Sequence, residues 1–425
     1  MSKTRIHYAW IVSALTFLVL LVAAGVRTAP AVFLKPFEDE FGWSRASVSL
    51  AVSVSLLVYG LGGPLGGSLV DRFGPRRVML GGLAIVLLGL GPLIALQSLW
   101  QLYIFWGLLS GIGTGALATV LGATVAQRWF RRHRGLVVGL FSAASSAGQL
   151  IFLPSLATLT SESGWRSAVG AMCIALAALL LPIALFMRDR PADVGLTPVG
   201  DDGSVTESET ASDLRTTPLR QALRTRDFWL LASSFFICGY TSNGLIGTHL
   251  YSHALEHGFA ATAAAGAVAL MGMMNIIGTL GSGFLTDRFD NRRLLAIYYG
   301  FRALSIAWLP FVADRDMNGL MIFAVLYGLD WIATVPPTVN LTAQRFGRGS
   351  VGTIFGWVFC AHMVGASLAS FAGGFFHDLL GSYTLVFLSA AGLGFVAVAL
   401  SSSITRIAPR PLVEPAPTAL SGEST

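Results

Sequence analysis

Four ionisable side chains fall inside stretches of sequence that are otherwise apolar. They are Arg27 in Gly25-Val26-Arg27-Thr28-Ala29-Pro30, Arg302, His362, and Asp330 in Tyr327-Gly328-Leu329-Asp330-Trp331-Ile332-Ala333-Thr334-Val335-Pro336-Pro337. A charge in such surroundings is expensive, roughly 2.5–3.5 kcal/mol on insertion scales, so each calls for a partner or a task. Histidine titrates near neutral pH and a desolvated carboxyl can approach that range, so Asp330 and His362 together could carry a proton. Counted at about 1.5 Å per residue from the ends of their stretches, both reach a similar depth, with Arg302 a little lower. Asp330 therefore has two open readings, a proton-coupling acid or a strut paired with Arg302. The planar fork of arginine suits a carboxylate, so Arg27 is a candidate for anion capture; an arginine snorkelling to an interface is the alternative.

Uncharged polar residues at similar depth could complete a binding site. Tyr240, Thr241 and Asn243 lie in a glycine-broken stretch, and Gln149 and Asn275 stand alone in theirs. His249, His253 and His257 recur every four residues and would share a helix face. Neighbouring pairs of these could bind a transition metal, His249 alone could face a solute pathway, or all three could form an interfacial face; no metal or other cofactor is assigned. Cys173, Cys238 and Cys360 are far apart, form no CxxC or disulfide framework, and read as small buried residues.

The elements that must hold these groups follow from composition. Hydrophobic residues make up 54% of 425 and charged residues only 12%, well under the roughly 25% of soluble domains. Twelve stretches are long enough to span a bilayer, at about 8–30, 46–70, 78–97, 100–126, 135–158, 166–187, 227–251, 262–285, 294–313, 318–342, 350–374 and 383–403. The first runs on too long for a cleaved signal peptide. With both termini placed inside, 22 of the 28 basic residues fall on the inner side, as the positive-inside rule requires. The net charge of +6 thus reflects orientation, and no basic patch with interleaved aromatic residues points to nucleic acid. Gly107, Gly111 and Gly115, and likewise Gly135 and Gly139, are spaced four apart for close helix contact in lipid.

Organisation is written in a repeat. Gly66-Gly67-Ser68-Leu69-Val70-Asp71-Arg72-Phe73-Gly74-Pro75-Arg76-Arg77 recurs as Gly281-Ser282-Gly283-Phe284-Leu285-Thr286-Asp287-Arg288-Phe289-Asp290-Asn291-Arg292-Arg293. The prediction is an all-α integral membrane protein of twelve transmembrane helices in two pseudo-symmetric six-helix halves, 1–190 and 226–405. A cytoplasmic linker at 191–225, acidic around Asp201–Thr210, would join the halves, with an interfacial helix near Arg220–Arg226 and a disordered tail at 406–425. Asp71 and Arg72, with Asp287 and Arg288, would act as conformational latches, each acid approaching a neighbouring helix N-terminus.

The doubled Gly–Asp–Arg phrase resembles the loop between the second and third helices of each half in the major facilitator superfamily. Val32-Phe33-Leu34-Lys35-Pro36-Phe37-Glu38-Asp39-Glu40-Phe41-Gly42-Trp43-Ser44-Arg45, with Arg128-Trp129-Phe130-Arg131-Arg132-His133-Arg134-Gly135-Leu136, is similar to the monocarboxylate transporter and oxalate–formate antiporter branch. The resemblance implies the major facilitator fold, a substrate site between the halves, and alternating access. In that branch the eighth span carries a cation for the substrate carboxylate and the first helix carries one near the position of Arg27. Here 262–286 holds no Lys or Arg, only Asn275, so positive charge must come from elsewhere.

The leading expectation is a secondary transporter for a small organic anion coupled to protons, monomeric, in the cell's inner (plasma) membrane with both termini cytoplasmic. Arg27, Gln149, Tyr240, Thr241, Asn243, His249 and Asn275 would bind substrate, while Asp330, His362 and Arg302 would handle the proton. Proton-driven efflux of amphipathic compounds is the alternative. Ser142–Pro154 lacks the Gly-Pro-x-x-Gly-Gly element that the resemblance associates with it, and the fourth span lacks the usual arginine. A transporter-like nutrient sensor would need a larger loop. No nucleophile elbow, phosphate-binding glycine loop or metal quartet suggests an enzyme.

Overall fold

The computed structural model describes residues 7–131, 134–200, 217–312, 317–347 and 350–406. Among these, eleven helices are long and apolar enough to cross a membrane. They are Tyr8–Phe41, Arg45–Gly66, Pro75–Ala95, Leu99–Trp129, Leu136–Ser163, Trp165–Phe186, Ala261–Thr286, Asn291–Phe311, Met317–Phe346, Val351–Leu380 and Thr384–Ser402. The seventh helix of the fold occupies 226–256 between the sixth and eighth. It is interrupted by a π-helical stretch, Tyr240–Ile246, between Arg226–Gly239 and Gly247–Glu256. Twelve helices in two halves of six therefore match the expected all-α class.

Several boundaries differ from expectation. The first helix continues through Pro30 and Pro36 to Phe41 and ends where Gly42 takes φ 65, so most of the Val32–Arg45 motif is helical rather than loop. Near the linker's end only one helical turn forms, Leu219–Ala222. Just before 201, Val199 pairs with the end of the fourth helix, donating to the Trp129 carbonyl at 2.9 Å and accepting from Arg131 N–H at 2.9 Å. The acidic run 201–210 and the tail beyond 406 lie outside the described residues.

Small residues set the helix spacing. In the fourth helix, a Cβ on Gly107, Gly111 or Gly115 would press on Val54, Val58 or Tyr59 of the second at 3.0–3.3 Å. Without a hydrophobic force between helices in lipid, such close backbone contact supplies the attraction. Gly139, expected to do the same, faces open space. Between the halves the second and eleventh helices run side by side. Ser53 Oγ lies 2.7 Å from Ser367 Oγ and donates to its carbonyl at 2.8 Å, while Gly60 leaves room for Met363.

Candidate functional site

The tenth helix breaks within its span. Met317–Asp330 and Val335–Phe346 are joined by a turn at 331–334. The cause is in the sequence: Pro336 and Pro337 have no N–H to offer the Ile332 and Ala333 carbonyls, and the tight turn that forms instead also takes the Asp330 and Trp331 carbonyls out of the helical ladder. Buried backbone groups must then be satisfied elsewhere, and side chains of two neighbouring helices supply the bonds. Arg302 Nη2 donates to the carbonyls of Asp330 (2.7 Å) and Trp331 (3.0 Å). Ser282 Oγ donates to the Ala333 carbonyl at 2.5 Å. Asn275 Oδ1 accepts from Ile332 N–H at 3.0 Å.

Arg302 does more than cap this break. It is fully buried, and its Nε lies 2.5 Å from Asp330 Oδ2, a pair sealed from solvent. Nη1 reaches Cys238 Sγ at 2.9 Å, and that sulfur lies 3.2 Å from Thr334 Oγ1. Cys238 is thus part of a polar cluster as well as buried. The three cysteines are free. Asp330 Oδ1 has no hydrogen-bond partner.

Asp330 and His362 are not in direct contact; Cys238 stands between their networks. Nδ1 of His362 lies 3.1 Å from the Phe235 carbonyl and Nε2 lies 3.4 Å from Asn243 Nδ2. Asn243 Oδ1 accepts from Trp331 Nε1 at 3.4 Å. The imidazole stacks on Phe359, with centroids 5.8 Å apart and planes 8° apart, and Phe359 meets Tyr59 of the other half edge-on at 6.1 Å.

Tyr59 leads to Arg27. The guanidinium sits 4.7 Å over the tyrosine ring, and Nη1 donates to its hydroxyl at 3.1 Å. Arg27 is half-buried beside a narrow cleft shared with Val26, Pro30, Ser55, Leu56 and Trp106. No carboxylate among the described residues forms an ion pair with it. From Arg27 through Tyr59, Phe359, His362 and Asn243 to Trp331, contacts thus run continuously across the interface between the halves.

Other expected site residues are placed differently. Asn275 is buried and donates to Ser146 Oγ of the first half at 2.9 Å. The Thr241 hydroxyl is spent on its own helix, on the Ile237 carbonyl at 2.8 Å. His249 is buried within the second half, Nδ1 being 3.1 Å from Tyr383 OH and Nε2 2.8 Å from the Ser370 carbonyl. His253 is buried with neither ring nitrogen bonded. Among the described residues no three His, Cys, Asp or Glu side chains gather as metal ligands. Gln149 Oε1 is buried without a partner, and Tyr240 is half-buried. Of the loop residues, Arg72 and Arg288 lie over Phe73 and Phe284 at 5.3 and 3.8 Å. Asp287 is exposed; the Asp71 side chain lies outside the described residues.

At the end of the bundle away from His7 and Arg406 is a network that the sequence did not reveal. Arg45, 4% exposed, binds Glu38 through Nε (2.5 Å) and Nη2 (2.7 Å), and Tyr383 OH through Nη1 (2.8 Å). It also pairs with Glu256, which lies 3.1 Å from His377. Asp378 accepts the backbone N–H groups of Arg45 (3.2 Å) and Ala46 (2.7 Å). Burial alone would raise the Glu256 carboxyl, but His377 and Arg45 outweigh it and hold the group down at about 2. This end therefore closes one half upon the other.

A family model described as Major Facilitator Superfamily matches residues 16–370. The chain belongs to that superfamily. Its relatives are transporters, not enzymes. The uncharacterized MFS-type transporter YcxA of Bacillus subtilis (strain 168) is 26% identical over 398 residues, 90% of this chain and 92% of that one. The oxalate:formate antiporter of Oxalobacter formigenes is 25% identical over 413 residues, 95% and 93% of the two chains. Monocarboxylate transporter 13 of Bos taurus is 29% identical over 389 residues, 90% and 86%. The crystal structure of a D-xylose-proton symporter superposes with a TM-score of 0.75 at 14% identity, covering 94% of this chain and 98% of that one, which bears on the fold alone. A superfamily member of this kind is a multi-pass membrane protein.

Proposed function

We propose that this transporter carries a small organic anion, a monocarboxylate or a related carboxylated metabolite, together with a proton by alternating access. The observation that carries the reading is the contrast between its two deep arginines. Arg302 is neutralised by Asp330, whereas Arg27 has no acidic partner among the described residues and borders the cleft beside the interface. An unneutralised guanidinium at that depth is costly unless an anion shares it, and its fork binds a carboxylate by paired charge-assisted bonds. The monocarboxylate and oxalate:formate relatives support the same class.

His362 takes the proton in this reading, with Asp330 balancing Arg302. A carboxylate on Arg27 and a proton on His362 add no net charge, so the loaded carrier reorients without moving charge through the membrane field. The termini lie in the cytoplasm of a cell whose plasma membrane holds the protein as a monomer. The Arg45 network then closes the outer side, and symport inward is the simplest direction.

The test is uptake of radiolabelled carboxylates into proteoliposomes with and without an imposed proton gradient, for wild type, Arg27→Gln and His362→Gln. Gradient-driven uptake of one acid, abolished in Arg27→Gln and uncoupled from the gradient in His362→Gln, is expected. Lipophilic dyes moving while no acid does would replace this reading with efflux.

A further inference from the structure

His362, Asn243 and Trp331 form a chain whose polarity is fixed at both ends. The Phe235 carbonyl can only accept, so Nδ1 of His362 carries a hydrogen. The Trp331 indole can only donate, so Asn243 must turn its oxygen toward it and its NH2 toward His362. Nε2 of His362 must then be bare to accept. Every role along the chain is satisfied by neutral imidazole, and none of the groups can reverse by itself.

We infer that Asn243 is a positioning residue through which the charge state of His362 is read by the broken tenth helix. This deepens the proton-coupled reading and rests on it. A proton arriving at Nε2 sets N–H against NH2, two donors with no acceptor between them. The amide relieves the clash by turning its oxygen to His362, which presents its NH2 to the Trp331 indole and ejects that partner. Trp331 is the first residue of the turn at 331–334, where helical bonding gives way to bonds from Arg302, Asn275 and Ser282, so its displacement acts directly on the groups that hold the turn. The closed arrangement of the Arg45 network therefore belongs with neutral His362. Protonation favours another arrangement, as a carrier that releases its proton inward requires.

The other ionisable groups near His362 do not substitute for the amide. Cys238 of the seventh helix lies within hydrogen-bonding reach of the ring, but its sulfur is also engaged by Arg302 and Thr334 and makes no contact with Trp331 that could carry the signal to the turn. Arg302 and Asp330 of the ninth and tenth helices are paired with each other. Tyr59 of the second helix meets Phe359, which stacks on His362.

The experiment uses the full chain in lipid nanodiscs with 15N-labelled histidine, the His362 signals being assigned by their loss in His362→Gln. No substrate is needed. Wild type should show the Nδ1–H tautomer at alkaline pH. Trp331→Phe keeps the ring but removes the donor that anchors the amide, so the pH midpoint of the His362 signals should rise by about one unit, a tenfold change. Asn243→Asp is nearly isosteric and can accept from both neighbours, so it should move the midpoint further in the same direction. An Nε2–H tautomer in wild type, or a midpoint unmoved in Trp331→Phe, overturns the relay whatever is transported. The expected signals in a protein whose uptake ignores the proton gradient would leave the bonds standing but overturn the coupling role, and with it the proton-coupled reading.

Discussion

Replacing Asp330 by Asn separates the two roles open to this acid. In the structure its carboxylate lies 2.5 Å from Arg302 Nε, with both side chains sealed from solvent. Asparagine keeps the shape and removes the charge, leaving a guanidinium buried without a counterion. Breaking one side of a buried pair costs about 3–5 kcal/mol, so in a chain of this length the melting temperature should fall by about 3–6 °C. The same guanidinium caps two carbonyls of the broken helix, so the loss should also loosen the turn at 331–334. The double variant Asp330→Asn with Arg302→Gln carries no orphan charge and should melt above Asp330→Asn alone. The assay is fluorescence-monitored unfolding in detergent, run beside gradient-driven uptake in proteoliposomes. A variant that melts like wild type but no longer couples uptake to the gradient would refute the strut and return Asp330 to the proton path.

Further outcomes follow from the other contacts. Arg27→Lys should raise the KM of the carried acid roughly 10- to 100-fold, because a point charge cannot make the bidentate bonds of the fork; melting should not change. Glu256 is held at about 2 against an ordinary 4.5, so its contribution is complete above the unfolded value and lost only as pH falls from 4.5 toward 2. External acidification to about pH 5 should therefore leave the Arg45 network closed. Glu256→Gln should weaken it above about pH 4.5 by roughly 1–2 kcal/mol once partial exposure is discounted, read as faster thiol labelling of Ser49→Cys beneath it. Ser146→Ala removes only the bond between halves and should cost about 1 kcal/mol, whereas Asn275→Ala also leaves the Ile332 N–H bare and should cost about 2–3 kcal/mol. Melting curves of the two variants test the order.

The twelve helices and their pairing into halves were legible because bilayer-length apolar runs and the doubled Gly–Asp–Arg phrase are local signals. The break near Asp330 was legible too, since two consecutive prolines remove two donors in any helix. The groups that mend the break were not. Ser282 and Arg302 sit in other helices, and nothing in their own surroundings shows which carbonyl they meet. Asn275, read as a substrate ligand, is engaged by Ser146 and Ile332 N–H; His249, read as facing the pathway, is bound within its own half. The Arg45 network escaped notice for a related reason. Glu38, Arg45, Glu256 and His377 each look like interfacial residues, and only the folded pairing of helices up to 338 residues apart in sequence makes them one cluster.

The start of the second helix depends on an acid made much later. Ser44 accepts from Ser47 N–H, but the amides of Arg45 and Ala46 are satisfied by Asp378 of the other half. A first half made alone would leave these two amides to water until the eleventh helix is inserted. The two halves, expressed as separate polypeptides, should each insert yet finish folding only on meeting. A translation arrest before residue 378 would leave the second helix frayed at its first turn, open to quality-control proteases.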